Sequence, residues 1–146
     1  MKPSTPLLTA LDAALARVGD RWSLLIVEAL LDGPRRFNDL SRQVAGIAPN
    51  ILADRLRRLE RAGVVLSEPY SRRPLRVDYR LSADGRELGG VLRLLSAWGG
   101  RGSSTAGWQG EAVRHALCGT ALEARWYCPT CVRSVEEGEG SELRYL

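Results

Sequence analysis

Asn50-Ile51-Leu52-Ala53-Asp54-Arg55-Leu56-Arg57-Arg58-Leu59-Glu60-Arg61 sets leucines three and four residues apart and fills most positions between them with polar groups. That spacing predicts a helix, because residues so separated share one side of a 3.6-residue turn. With Leu52, Leu56 and Leu59 turned inward, Asn50, Asp54, Arg57 and Arg61 face out, and Ala53 and Arg58 lie on the flanks. Asn can pair in bidentate fashion with adenine and Arg with guanine, and a small residue such as Ala53 permits close approach to a base edge. An arginine-rich helix face alone is more often a solvated surface pairing with its own acids, here Asp54 or Glu60, so the neighbouring elements decide.

Upstream, Gly46 and Pro49 punctuate a turn after the short helical run Phe37, Leu40 and Val44. Two short helices around a tight turn outline a helix-turn-helix. Before them, Trp22, Leu25, Ile26, Ala29 and Leu30 predict a buried helix over about 22–31, ended by Asp32-Gly33-Pro34. Leu7, Leu8, Leu11, Leu15 and Val18 predict an amphipathic first helix that Gly19 stops. Trp22 and Phe37, at helical spacing among apolar neighbours, are assigned to packing.

Downstream, Gly63 closes the leucine-rich helix and the period changes to two. Val64-Val65-Leu66 and then Leu75, Val77, Tyr79 and Leu81, alternating with Arg76, Asp78 and Arg80, predict a strand pair. Ser71-Arg72-Arg73-Pro74 between them is expected to be an exposed hairpin loop, a wing. Arg72 and Arg73 there, with Arg35, Arg36 and Arg42 around the shorter helix, are candidates for phosphate or minor-groove contact. Ser82 is placed to cap a further helix with the apolar face Leu88, Val91, Leu92, Leu95 and Trp98. The expected fold is therefore mainly α with a small β-hairpin: a winged helix-turn-helix over residues 1–99, a Gly/Ser-rich linker over 100–110 and a small C-terminal segment over 111–146. No internal repeat is evident.

A chain of 146 residues with 45% hydrophobic and 26% charged residues has the composition of an ordinary folded protein. No apolar run is long enough to cross a membrane, and Asp12 and Arg17 interrupt the N-terminal stretch where a signal peptide would be apolar, so a cytoplasmic location is expected. From Arg35 to Arg86, twelve arginines against six carboxylates leave a local charge of +6, which concentrates the basic character in the middle of the chain. Phosphate-cradling loops, nucleophile elbows and dinucleotide fingerprints are absent, which argues against an enzyme.

Val18-Gly19-Asp20-Arg21-Trp22-Ser23-Leu24-Leu25-Ile26, then Gly33-Pro34-Arg35-Arg36-Phe37-Asn38-Asp39-Leu40, Gly46-Ile47-Ala48-Pro49, Leu52, Arg55-Leu56, Leu59-Glu60, Gly63, Pro74, Tyr79, Leu81 and Gly85 resemble the HxlR family of MarR-like bacterial regulators. The resemblance spans roughly residues 7–99. It implies a winged helix, a homodimer built from the first and last helices of that domain, and recognition helices entering successive major grooves of a pseudo-palindromic operator. It further implies regulation of a nearby gene, with repression the expected sign. Members that sense oxidants carry a cysteine near the start of the first helix. The matching stretch here is Thr9-Ala10-Leu11-Asp12, so thiol switching of that kind is not expected.

All three cysteines lie in the C-terminal segment, an odd number that argues against a closed disulfide framework. His115-Ala116-Leu117-Cys118 and Cys128-Pro129-Thr130-Cys131 form two ligand pairs, each with two residues between donors. Three thiolates and one imidazole suit one tetrahedral structural zinc in a zinc-ribbon-like tail. Against this stand buried thiols without metal, or a redox pair of Cys128 and Cys131 with His115 on the surface. Two other functions remain open: a zinc-stabilised protein–protein interaction module, and a metal-responsive regulator. Trp98, Trp108 and Trp126 are candidates either to line a pocket for a small-molecule effector or to pack the tail.

Overall fold

Thr9 opens the first helix, α1 (Ala10–Val18): its hydroxyl accepts the Asp12 amide at 3.1 Å while the Asp12 carboxylate accepts the Thr9 amide at 3.0 Å, a reciprocal cap. The computed structural model describes residues 9–102, 113–136 and 139, so Leu7 and Leu8, expected in this helix, lie outside the described residues. Asp20 caps α2 (Arg21–Leu31) by accepting the Ser23 amide at 3.1 Å and hydroxyl at 2.6 Å. Ser23, Ile26, Val27, Ala29 and Leu30 of α2 are buried, while Trp22 and Leu25 are half-buried and pack on that core, as does Phe37.

A two-residue strand, β1 (Arg35–Arg36), precedes α3 (Phe37–Gln43) and α4 (Pro49–Arg61). Proline at the first position of α4 is preorganised for the helical φ and loses no needed donor. Gly63, at φ 72, takes the left-handed conformation that lets the chain leave α4 and enter β2 (Val65–Arg72). β2 and β3 (Leu75–Leu81) pair antiparallel from Val65 with Leu81 to Arg72 with Leu75, and β1 adds to the other edge of β3, giving the order β1-β3-β2. Ser71 and Arg72, expected in the loop, are strand residues, and the turn is Arg73-Pro74. Arg35 and Arg36, expected around the shorter helix, sit opposite Tyr79 and Asp78 in the sheet. Two residues are too short to show a period of two, and their partner strand lies about forty residues away in the chain.

Ser82 caps α5 (Ala83–Gly102) as expected, accepting the Gly85 amide at 3.0 Å and donating to the Gly63 carbonyl at 2.6 Å. A Cβ on Gly85 would stand 2.2 Å from the carbonyl oxygen of Val64, so glycine is what lets α5 lie against the start of β2. The helix continues to Gly102, and residues 100–102 are thus helical rather than linker, while 103–110 lie outside the described residues. Glycine lowers helix stability by about 1 kcal/mol per residue, yet propagation from a helix already formed adds one bond for each residue fixed.

The buried core joins Ile26, Val27 and Leu30 of α2, Leu40 of α3, Leu52, Leu56 and Leu59 of α4, Val64 and Val65, Leu81 and Leu92. At roughly 1.5–3 kcal/mol for each fully buried leucine, the three of α4 supply the largest block that holds this helix in place. The chain divides into two compact units, Met1–Arg93 and Leu94–Leu146, with the division inside α5. In the second unit, β4 (Tyr127–Cys128) and β5 (Arg133–Ser134) form a two-stranded hairpin. No described helix is long and apolar enough to cross a membrane.

Candidate nucleic-acid interface

Burial sorts the residues of α4 as their spacing predicts. Leu52, Leu56 and Leu59 are at most 1% exposed, whereas Asn50, Arg57, Arg58 and Arg61 are exposed and Ala53 and Asp54 are half-buried. Arg57 and Arg58 have no side-chain ion pair among the described residues, and Arg61 makes only a 3.3 Å contact from Nε to the Arg57 carbonyl. Their charges are therefore available to an anionic partner, and the alternative of a self-paired face fails for Arg57, Arg58 and Arg61. It holds for Asp54, expected on the reading face: its carboxylate receives Arg55 Nη1 at 2.6 Å.

Arg55 has a structural part that its place among the other arginines concealed. Only 22% of its side chain is exposed, and its Nε donates to Asp20 at 2.9 Å, tying α4 to the N-terminus of α2. Burial raises the Asp20 carboxyl, and the Ser23 hydroxyl and amide together with Arg55 outweigh it, so the group ends below the ordinary carboxylate range. Arg17 is a second unforeseen tie. Its guanidinium donates to the Ala62 carbonyl at the end of α4, at 2.9 Å, and pairs with Asp84 in the first turn of α5. The carbonyl at a helix C-terminus carries partial negative charge, which a cation there satisfies.

Around the reading helix the other arginines differ in freedom. Arg42, in the last turn of α3, pairs with Asp39 at 2.5 Å, and the Arg42 hydrogen bond is the chief reason the Asp39 carboxyl is lowered. Arg36 stacks its guanidinium 4.7 Å from the Tyr70 ring and lies 3.7 Å from Asp78, which fixes it on the sheet. Arg35 is half-buried and only marginally paired, at 4.0 Å, with Asp32. Arg72 and Arg73 at the hairpin tip are exposed, and β2 below them packs against α4.

In the tail, His115 Nδ1 and Cys118 Sγ are 3.2 Å apart, and the Cys131 amide donates to Cys128 Sγ at 3.5 Å. Hydrogen bonding with Thr120 lowers the Cys118 thiol, and the Cys131 and Thr130 amides lower that of Cys128. The expected four donors thus stand as two pairs. Among the described residues no group of three or more His, Cys, Asp or Glu side chains is gathered around one point, so the zinc-ribbon-like arrangement is not formed by the chain itself. Sequence spacing within a pair sets its geometry, while the distance between pairs depends on a connection that carries no such signal. Trp98 and Trp126 are exposed, and Trp108 lies outside the described residues.

A helix-turn-helix followed by an arginine-tipped hairpin in a three-stranded sheet defines a winged-helix protein of the DNA-binding class. Residues 17–106 match the HxlR-like helix-turn-helix family, and the chain belongs to it. It is 37% identical over 118 residues to an uncharacterised HTH-type transcriptional regulator of Mycobacterium tuberculosis, covering 81% of this chain and 74% of that one. A candidate transcription factor from Pseudomonas aeruginosa matches with a TM-score of 0.62 and 36% identity over 84% of this chain and 83% of that chain. The crystal structure of the HTH-type regulator YtcD, a Bacillus subtilis protein, matches with a TM-score of 0.61 and 35% identity over 64% and 96% of the two chains.

Proposed function

We propose that the protein represses transcription as a homodimer that reads a pseudo-palindromic duplex operator. The observation that carries the reading is the α4 face, where Asn50 and the unpaired Arg57, Arg58 and Arg61 stand over a fully buried leucine row among the described residues. Asn50 and Arg57, both exposed on α4, read base edges, with Ala53 giving close approach; Arg58, Arg61, Arg72 and Arg73 hold phosphates. Arg35, Arg36 and Arg42 are more constrained and add to the positive field around the site.

Dimerisation is supported by two apolar faces that water would otherwise cover: Leu11 and Leu15 on α1, and Val91, Leu94, Leu95 and Trp98 on α5, are all exposed. The two helices at the ends of the winged domain suit a two-fold interface in which each face meets its own copy. Such a dimer presents two reading helices to successive grooves, and occupying a promoter in this way blocks polymerase without further chemistry. Mobility shift of duplexes from upstream of the protein's own gene, against random duplex at the same salt, tests the reading. Preference for one site, with a footprint of two half-sites, supports it, and equal binding to all duplexes overturns it.

A further inference from the structure

We propose that His115, Cys118, Cys128 and Cys131 bind one zinc ion held between two equivalent hairpins of the tail. The equivalence is visible in the backbone. The bridge Arg114–Ala121 and the pair Tyr127–Ser134 flank turns of the same length, and the closing hydrogen bonds, Leu122 amide to Val113 carbonyl and Val135 amide to Trp126 carbonyl, are both 2.7 Å. One shift of 13 residues carries His115 onto Cys128, Cys118 onto Cys131 and Gly119 onto Val132. No repeat shows in the sequence because only the cysteine at the second donor position is shared; the hairpin geometry reveals it.

The turn itself has a shape that needs explaining. Gly119 and Val132, each directly after the second donor, have φ of 71 and 54. Glycine takes that conformation freely, whereas a β-branched residue there is an outlier. The same left-handed turn after the second donor recurs in both hairpins, and within them His115 Nδ1 lies 3.2 Å from Cys118 Sγ and the Cys131 amide donates to Cys128 Sγ at 3.5 Å, so the two donors of each pair are near neighbours. The tail also lacks a core to hold it: over residues 113–136 none is buried, and Leu117, Leu122, Trp126, Tyr127 and Val132 are exposed. Each hairpin holds its own two donors close, and one ion shared by both pairs would join the two hairpins across residues 119–127. Three sulfur donors and one imidazole select a borderline-soft tetrahedral ion, and four protein donors leave no position for a reacting water.

Elemental analysis of the full chain purified without added metal tests the site, together with cobalt substitution read by its sulfur-to-metal charge-transfer absorption. The expected result is about one equivalent of zinc per chain, falling to less than about a tenth in Cys128→Ser and in Cys118→Ser. Val132→Gly relieves the backbone and should keep the metal, which separates loss of a donor from general damage to the tail. Absence of metal from the native chain with three reactive thiols overturns the proposal. So does a chain lighter by two hydrogens with one reactive thiol, the signature of a Cys128–Cys131 disulfide.

Discussion

Arg55 Nε donates to Oδ1 of Asp20 at 2.9 Å, so the helix proposed to read DNA is anchored to the cap of the helix beneath it. The carboxylate has two roles at once, capping α2 through Ser23 and holding α4 through Arg55. Both partners are less than a third exposed, 22% for Arg55 and 29% for Asp20, so solvent screens this pair less than the surface pairs. Asp20→Ala should cost about 2–3 kcal/mol, adding the missing cap to the missing charged hydrogen bond, and Arg55→Ala about 1 kcal/mol because Asp20 keeps Ser23. Urea denaturation of both variants measures the difference, and equal losses would show that the cap contributes nothing.

The same carboxyl gives the stability a pH dependence. Its value in the folded chain lies below that of the unfolded chain, near about 4, so its contribution is complete above that value and is lost as pH falls through the lower folded value. Asp20→Asn should flatten the acid limb of the stability curve below about pH 4 and leave the slope above about pH 5 unchanged. Thermal melts from about pH 2 to about pH 7 compare the two; parallel acid limbs would assign the slope to other carboxylates.

Glycines in α5 should respond with opposite signs. Gly85→Ala drives a Cβ to 2.2 Å from the Val64 carbonyl oxygen, and since that oxygen is backbone and the Cβ is fixed to its own Cα, the helix must move, at a cost of about 2 kcal/mol or more. Gly90, also helical and exposed, has nothing within 4 Å of that position, so Gly90→Ala should stabilise by about 0.5–1 kcal/mol. Differential scanning calorimetry reads both, and a gain at Gly85 would refute the close approach.

Periodicity made the helical part of the winged fold legible because α2 and α4 each bury one side. The row Leu52, Leu56 and Leu59 and the capping of α5 by Ser82 come out as their spacing demands, whereas Leu75 to Leu81 form the expected strand without an alternating burial, Leu75 being 70% exposed and only Leu81 buried. What escaped was set by partners distant in the chain. Arg35 and Arg36 are strand only because β3 is there to pair with, and Asp54 is neutralised by a neighbour whose own direction is fixed by Asp20. Arg17 reads as a polar residue on an amphipathic helix, and only the tertiary structure brings it to the Ala62 carbonyl. The two tail hairpins share backbone conformation with almost no shared residues, so pattern alone could not relate them.

The exposed faces of α1 and α5 predict a separable defect. Leu15 is 52% and Leu95 47% exposed in the protomer, so glutamate at both should change protomer stability by no more than about 0.5 kcal/mol. The same pair of charges at a two-fold apolar interface would face like charges across it and abolish association. Light scattering at micromolar concentration should therefore give a dimer for the native chain and a folded monomer for Leu15→Glu/Leu95→Glu. A native monomer, or a dimer unaffected by both charges, removes these faces from the interface.

Arg57 and Arg72 should fail in different ways. Arg57 stands exposed on α4 with no ion pair among the described residues, placed to meet a base edge, and a bidentate arginine contact distinguishes the right base by about 1–3 kcal/mol. Arg57→Ala should therefore weaken the cognate site by about 5- to 150-fold while leaving random duplex nearly unchanged. Arg72, exposed where β2 reaches the hairpin tip, is proposed to hold a phosphate, and pairing with a phosphate is blind to sequence. Arg72→Ala should weaken cognate and random duplex alike, and should reduce the slope of log affinity against log salt by about 0.9 for each phosphate no longer neutralised. Titrations of both variants on both duplexes at several salt concentrations separate the roles. Equal losses on the two duplexes for Arg57→Ala, or an unchanged salt slope for Arg72→Ala, would contradict the corresponding assignment. Neither variant should alter the melt, because both side chains are exposed and carry no ion pair among the described residues.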